Sequence, residues 1–237
     1  MKHAKRHPLI FGTIILTATG LITRVIGFFY RIYLSRLFGE EGMGIYQLLS
    51  PALSLSFSLT AAGYQTAISK YVAADSAKRP SGNLKPLLAG ISITLPLSLV
   101  TNAILFFSAD PIGIFLLKDH RTVPMLRILS FSVPFAALHA CINGYFYGKK
   151  KASVPALTQL LEQLARVSCV FLVTGADLSE GRTPSINAAV LGLTVGEIFS
   201  MLIALVCLYI HLYPDSSILS LQNICPSVPV YRDLLGM

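Results

Sequence analysis

This sequence predicts an all-α integral membrane protein of about six transmembrane helices. Three observations carry the prediction. The 237 residues are 54% hydrophobic and only 13% charged, about half the charge content of a soluble domain. Apolar runs long enough to cross a bilayer, about 20 residues each, recur along the chain and leave no soluble domain between them. Lysines and arginines gather in alternate loops, the bias that orients membrane spans. The net charge of +8 therefore reads as orientation rather than as a nucleic-acid footprint, and no nucleic-acid partner is expected.

The chain divides into a short amino-terminal segment (1–8), a six-helix lobe (9–213) and a linker (214–237). MKHAKRHP followed by an apolar run looks like a signal peptide. The run is too long for one and contains arginines, so it reads as an uncleaved first span, 9–37. FGEEGMG is a glycine-rich acidic turn. Span two, 45–74, carries Pro51 near its start and Gly63 as a flexible point. DSAKRPSGNLK is a basic loop. Span three is 86–108, and an apolar-centred connection (109–122) follows it. Span four, 123–147, contains Pro134 and ends in Lys149, Lys150 and Lys151. Span five is 154–175, ADLSEGRTPS is a polar loop, and span six is 186–213.

One side of this arrangement holds Lys2, Lys5, Arg6, Lys78, Arg79, Lys85, the three lysines at 149–151, and Arg232. The other holds Lys118, Arg121 and Arg182 among Glu40, Glu41, Asp110, Asp119, Asp177 and Glu180. The bias places both termini in the cytoplasm of a cell-membrane, multi-pass protein.

Span one carries the first functional signal. Thr13, Thr17, Gly20, Arg24, Gly27 and Arg31 follow one another in alternating steps of four and three, which sets them on one helical face. An arginine in hydrocarbon costs about 2.5–3.5 kcal/mol even on the lenient insertion scale, so this face should line a wet cavity. In span five Gln159, Glu162, Gln163 and Arg166 form a second polar stripe, in which Glu162 and Arg166 can pair at i, i+4. Glu197 in span six and Arg127 in span four complete the candidate cavity set. His139 reads as a packing residue. Gln47, Ser50, Ser54 and Ser58 form a row suited to helix packing.

The arginines outnumber the carboxylates, and a guanidinium fork suits phosphate. A phosphate- or diphosphate-bearing substrate fits such a cavity. Walker, Gly-x-Ser-x-Gly and His-Glu-x-x-His motifs are all absent, so no catalytic residue, metal site or cofactor is assigned. Cys141, Cys169, Cys207 and Cys225 read as small apolar side chains.

At TRVIGFFYRIYLSRLFGEEGMGIYQLLSPAL, AAGYQTAISKYVA, SFSVPFAALHACINGYFYGKKKASVPALTQLLEQLARV and the Gly-Glu of 196–197, the chain resembles a known family. It is similar to the polysaccharide-transporter and lipid-linked-oligosaccharide flippase branch of the MATE-like (MOP) exporter superfamily. The likeness is greatest to the stage V sporulation protein B group, which is related to lipid II flippases. The resemblance implies two pseudo-symmetric lobes around a central cationic cavity with alternating access. Arg24 fits the arginine of the family's Ser/Thr-Arg-Val-x-Gly-Phe pattern, whose role is to bind lipid diphosphate. A second cavity arginine of some relatives falls at Tyr30 in this register, one residue from Arg31.

Combined with the residues, this yields the expectation of a non-enzymatic flippase. It would move a lipid-linked glycan or peptidoglycan precursor, in contact with membrane lipid, for spore cortex or envelope synthesis. Gly20, Gly27, Pro51, Gly63 and Pro134 would let its helices bend. The chain is expected to be a first lobe truncated before the second, with a homodimer as the other arrangement. A cation-coupled multidrug exporter of the same superfamily and a non-transporting scaffold or remnant are the alternative functions.

Overall fold

The computed structural model describes residues 7–78 and 84–212, and every regular element among them is helical. The basic residues at 2, 5, 6, 79 and 232, Cys225 and the linker segment 214–237 lie outside the described residues.

Helix α1 (His7–Leu48) is broken at Gly39. There φ is 69° and ψ −175°, a left-handed conformation that costs glycine little and other residues more. What the sequence suggests as a turn of seven residues is thus a single-residue break, with helix resuming at Glu40. Helix α2 (Ser50–Phe57) begins with Pro51 in its first turn, where a missing N–H costs nothing. A π-helical turn (Ser58–Ala62) joins it to α3 (Gly63–Lys78).

Helix α4 (Lys85–Phe107) carries Pro96 internally. A short turn, α5 (Ala109–Pro111), and a second π-helical turn (Ile112–Leu116) lead to α6 (Thr122–Gly148), which runs through Pro134. Helices α7 (Ser153–Ser179) and α8 (Asn187–Leu212) complete the described chain.

Five stretches are long and apolar enough to cross a membrane. The first, Gly12–Ser76, is 65 residues long, several times what one crossing needs, and it breaks at Gly39. The all-α, membrane-spanning fold class therefore stands, with five to six such helices. The lipid-type exterior agrees: Phe29, Phe107 and Leu172 are exposed.

Helix α6 is the hub, packed against α3, α4 and α8, while α7 joins α8 to α1. Two cores stack along α6. One gathers Ile45, Leu49, Leu105, Leu126 and Leu129. The other gathers Ile68, Val72, Leu87, Ile142, Tyr145 and Phe146. Close helix approach depends on absent side chains. A Cβ at Gly192 would lie 2.9 Å from the Arg166 carbonyl oxygen, and one at Gly196 would lie 3.1 Å from that of Glu162. Gly144 and Gly148 do the same for α6 on α3, against the carbonyls of Gln65 and Ser69. Both pairs are small-xxx-small patterns, which let backbones touch where lipid supplies no hydrophobic drive.

The two ends of the bundle differ in charge. At one end Gly12 lies beside Ala152, Lys151 Nζ meets His211 Nδ1 at 3.0 Å, and Lys149 sits over the Tyr145 ring. At the other, Arg121 pairs with Glu41 at 2.7 Å and with Asp119, while Arg182 pairs with Asp177 and Glu180. The row Gln47, Ser50, Ser54 and Ser58 is exposed. The buried hydroxyls of this region belong instead to Ser56 and Thr60, which donate to the carbonyls of Ala52 and Ser56 at 2.8 and 2.7 Å. The apolar residues Ile45 and Leu49 turn inward on the same side, and that rotation sends the serine row outward.

Candidate functional site

Polar side chains converge in mid-bundle between α6, α7 and α8. Helix spacing brings Glu162 and Arg166 to one side of α7, and the bare Gly196 lets α8 press against that face. Arg166 donates to Glu162 Oε1 at 2.5 Å, both side chains being about four-fifths buried. Across the contact, Glu197 Oε2 lies 3.7 Å from Nδ1 of buried His139 on α6.

His139 is held on both ring nitrogens. Nε2 meets the Asn143 amide at 2.8 Å, and Nδ1 meets the Ser200 hydroxyl at 3.1 Å. Thr158 in turn donates to Asn143 Oδ1 at 3.4 Å. The network thus ties three helices together through groups that would each be costly to bury alone. The ligating atoms of His139, Glu162 and Glu197 lie within 4.8 Å of one another, close enough to share a cation. Two features compete with an ion there: the imidazole nitrogens already have partners, and Arg166 neutralises Glu162.

Beside this cluster runs the α1–α7 contact. Tyr33 bonds Thr174 at 2.8 Å and stacks on Phe171. A Cβ at Gly27 would lie 3.6 Å from Gln163 Nε2, so Gln163 faces α1. The Tyr30 hydroxyl and Arg166 Nε are buried without a hydrogen-bond partner. Small hydroxyls border the cluster on its other flank, where a narrow cleft is lined by Ser56, Thr60, Ser132 and Glu197.

The candidate residues therefore separate into three groups. Glu162, Arg166 and Glu197 come together, joined by His139, which reads from the sequence as a packing residue, while Gln163 faces α1. Arg24 and Arg31 are exposed on α1, and no ion pair holds either among the described residues. Arg127 is exposed, pairs with Asp110 at 2.6 Å and lies over the Phe106 ring. It stands twelve residues from His139 along α6, about 18 Å. Of the candidate hinges, Gly20 has open space where a Cβ would project, Gly27 packs against α7, and Gly63 follows the π-helical turn.

Comparison with known proteins adds to this geometry. A family model described as polysaccharide biosynthesis protein matches residues 9–230. Stage V sporulation protein B of Bacillus subtilis (strain 168) is 36% identical over 197 residues, 83% of this chain and 38% of that protein. Lipid II flippase MurJ of the same organism is 27% identical over 179 residues, 72% of this chain and 32% of its own length. Sporulation protein YkvU, also from that organism, is 25% identical over 162 residues, 68% of this chain and 35% of its own. The chain thus spans under two-fifths of the length of these curated relatives. No solved structure matches it.

Proposed function

The chain belongs to the polysaccharide biosynthesis protein family, and from that premise we propose that it works as a lobe of a flippase. The cargo is a lipid-diphosphate-linked saccharide or peptidoglycan precursor, carried from the cytoplasmic to the outer leaflet of the cell membrane without chemical change. The single observation that supports this reading is the pair of unpaired arginines exposed on α1. Arg24 and Arg31 share that helix with exposed Leu21, Phe28 and Phe29. An arginine facing lipid is expensive, whereas one facing a water-filled cavity can bind phosphate through its fork of donors. The exposed row Gln47, Ser50, Ser54 and Ser58, running from the end of α1 through α2 to the π-helical turn, is a second surface suited to water rather than lipid.

In this reading Arg24 engages the diphosphate and Arg31 assists it. Glu162, Gln163, Arg166 and Glu197 shape or gate the path behind α1. Arg127, held by Asp110, belongs to the acidic end. Gly20, Gly27, Pro51, Gly63 and Pro134 absorb helix bending, helped by the π-helical turn between α2 and α3. The other wall of the cavity comes from a second lobe or a second copy of this chain. The basic end, with both termini, faces the cytoplasm.

A cation-coupled multidrug exporter is the second reading. It is favoured by the buried grouping of His139, Glu162 and Glu197, a charge set that can respond to an ion. Arg24→Ala and Arg24→Lys separate the two. Translocation of a fluorescent lipid-diphosphate saccharide into the outer leaflet of proteoliposomes should fall at least about tenfold with Ala and recover in part with Lys. Unchanged translocation in Arg24→Ala sinks the phosphate role. Loss of ethidium efflux with precursor translocation intact favours the exporter.

A further inference from the structure

The connection between α4 and α6 turns apolar side chains outward. Ile114, Phe115 and Leu116, in the second π-helical turn, are all exposed, the last two at 78% and 74%. Among the described residues no other three successive large apolar side chains lie exposed. Along the spans, exposed apolar residues come singly or in pairs, as expected of helices with one flank against lipid. Three neighbours in a helical turn fan over about half its circumference, so this turn stands clear of the bundle as a knuckle.

The knuckle is braced from behind. Ile112 and Leu117, on either side of the exposed three, pack against the core that holds Leu105, Leu126 and Leu129. A Cβ at Gly113 would lie 2.6 Å from Val123 Cγ2 and 2.9 Å from Thr122 Oγ1, so the backbone is pressed onto the start of α6. The Asp119 N–H donates to the Gly113 carbonyl at 3.0 Å, and the Thr122 hydroxyl donates to the Asp119 carbonyl at 2.6 Å. Packing and hydrogen bonds therefore fix the outward projection. Charged pairs bracket it: Asp110 with Arg127 before it, and Asp119 with Arg121, itself held by Glu41, after it. Lys118 and His120 are exposed at the same edge. Exposed ion pairs belong in water or among headgroups, so the knuckle stands at the membrane surface and not along the flank of a span.

We propose that Ile114, Phe115 and Leu116 are a wedge that enters the headgroup–acyl boundary of the leaflet at the acidic end of the bundle. The occupant of this surface is the phospholipid layer itself. A protein partner would have to bury Lys118 and two ion pairs along with the apolar tip, whereas a lipid interface accepts both. Apolar side chains of an interfacial segment sink about 5–10 Å into that boundary. The stem of Lys118 can lie along the tip while its ammonium reaches lipid phosphate. On the orientation proposed above, this is the leaflet that receives the cargo. That consequence rests on the orientation, whereas the depth of the wedge does not.

The chain has no tryptophan, so Phe115→Trp introduces a single fluorescent reporter at the tip. The full chain carrying it is reconstituted in vesicles of phosphatidylcholine and phosphatidylglycerol, with bromine placed near the top or near the end of the acyl chain. Leu99→Trp, on the exposed flank of α4 and eight residues from its end at Phe107, is the deep reference, about 12 Å further in. Shallow bromines should quench Phe115→Trp at least about twofold more than deep ones, and the order should reverse for Leu99→Trp. Leu116→Trp should repeat the Phe115→Trp result, so a variant that fails to fold leaves the other to decide. Quenching by aqueous iodide alone, as for a fully hydrated indole, overturns the proposal. So does the deep pattern of Leu99→Trp at the tip, which would make the turn an ordinary part of a span. A tip shielded from bromines and iodide alike, with a photo-cross-linker at Phe115 capturing a second copy of the chain, assigns the surface to a protein contact and overturns it too.

Discussion

His139 Nδ1 lies 3.7 Å from a carboxylate oxygen of Glu197, and the Ser200 hydroxyl, from the next turn of α8, meets the same nitrogen at 3.1 Å. With Asn143 on the other nitrogen, the imidazole serves as a two-ended connector between α6 and α8. His139→Ala leaves the Asn143 amide without a partner, while Ser200 keeps its bond to the Glu197 carbonyl, and an unsatisfied buried polar group costs about 1–3 kcal/mol. His139→Gln can still reach the Asn143 amide and should cost less. Thermal unfolding in detergent micelles ranks the three proteins. Equal loss in both variants would mean that His139 contributes volume and not its hydrogen bonds.

Arg166 and Glu162 make a different prediction, because each is needed mainly to neutralise the other. Breaking a buried pair by removing one partner costs about 3–5 kcal/mol. Replacing both with apolar residues of similar size is often far milder. Arg166→Leu alone and Glu162→Leu alone should therefore destabilise more than the double variant does. A double variant as damaged as the sum of the singles would show that the 2.5 Å contact carries no coupling.

These two networks also mark where the sequence can be read and where it cannot. The helical fold class follows from apolar runs whose length alone identifies them, and the stripe Glu162, Gln163, Arg166 follows from spacing along one helix. The i, i+4 ion pair is local and forms as spacing predicts. His139 is not legible in this way. It is a lone polar residue on an apolar helix, and its decisive partner, Ser200, is 61 residues distant. Only Asn143, one turn on, hinted at a network. Arg127 is similar: its partner Asp110 lies across a π-helical connection that no periodicity reveals. The serine row of α2 was visible, but which face turned inward depended on where Ile45 and Leu49 found their core. The glycine pairs 144/148 and 192/196 left a small-xxx-small signal that could have announced the α3–α6 and α7–α8 contacts.

Those glycines are testable as a set. Gly192→Ala places a methyl 2.4 Å from Val170 Cγ2 and 2.9 Å from the Arg166 carbonyl oxygen, and overpacking of this kind costs about 1–3 kcal/mol. Gly175, on α7, has nothing within 4 Å of an added Cβ. Gly175→Ala should leave stability unchanged or raise it by up to about 1 kcal/mol. Chemical denaturation of both variants checks the contrast. A neutral Gly192→Ala would mean that α7 and α8 can separate without penalty.

At the acidic end, hydrogen bonds from the Arg121 side chain and backbone N–H hold the Asp119 carboxyl below the ordinary carboxylate range. A depressed folded value means stability that is present above the unfolded value, about 3.9, and lost as pH falls through the folded one. Wild-type stability should therefore carry an acid-side slope that Asp119→Asn reduces, with little difference between the two near neutral pH apart from a constant offset. The site is exposed, so the slope will be shallow and will weaken further in salt. Unfolding midpoints between about pH 2 and 6 decide it, and identical slopes would remove Asp119 as a contributor.

Gly20 separates a hinge from a packing residue. An added Cβ there meets nothing within 4 Å, so Gly20→Ala has no steric reason to destabilise. Alanine instead favours helix by about 1 kcal/mol over glycine. If α1 bends at this point during transport, the same change stiffens it and should slow precursor translocation while leaving the unfolding midpoint equal or higher. Gly27→Ala differs, because its methyl would stand 3.6 Å from Gln163 Nε2, an ordinary contact that alters the α1–α7 seam. Measured side by side, a rate loss at Gly20 without a stability loss assigns bending to α1. An unaffected rate in a stabilised Gly20→Ala protein places the moving part elsewhere, and the π-helical turn at Ser58–Ala62 becomes the next segment to substitute.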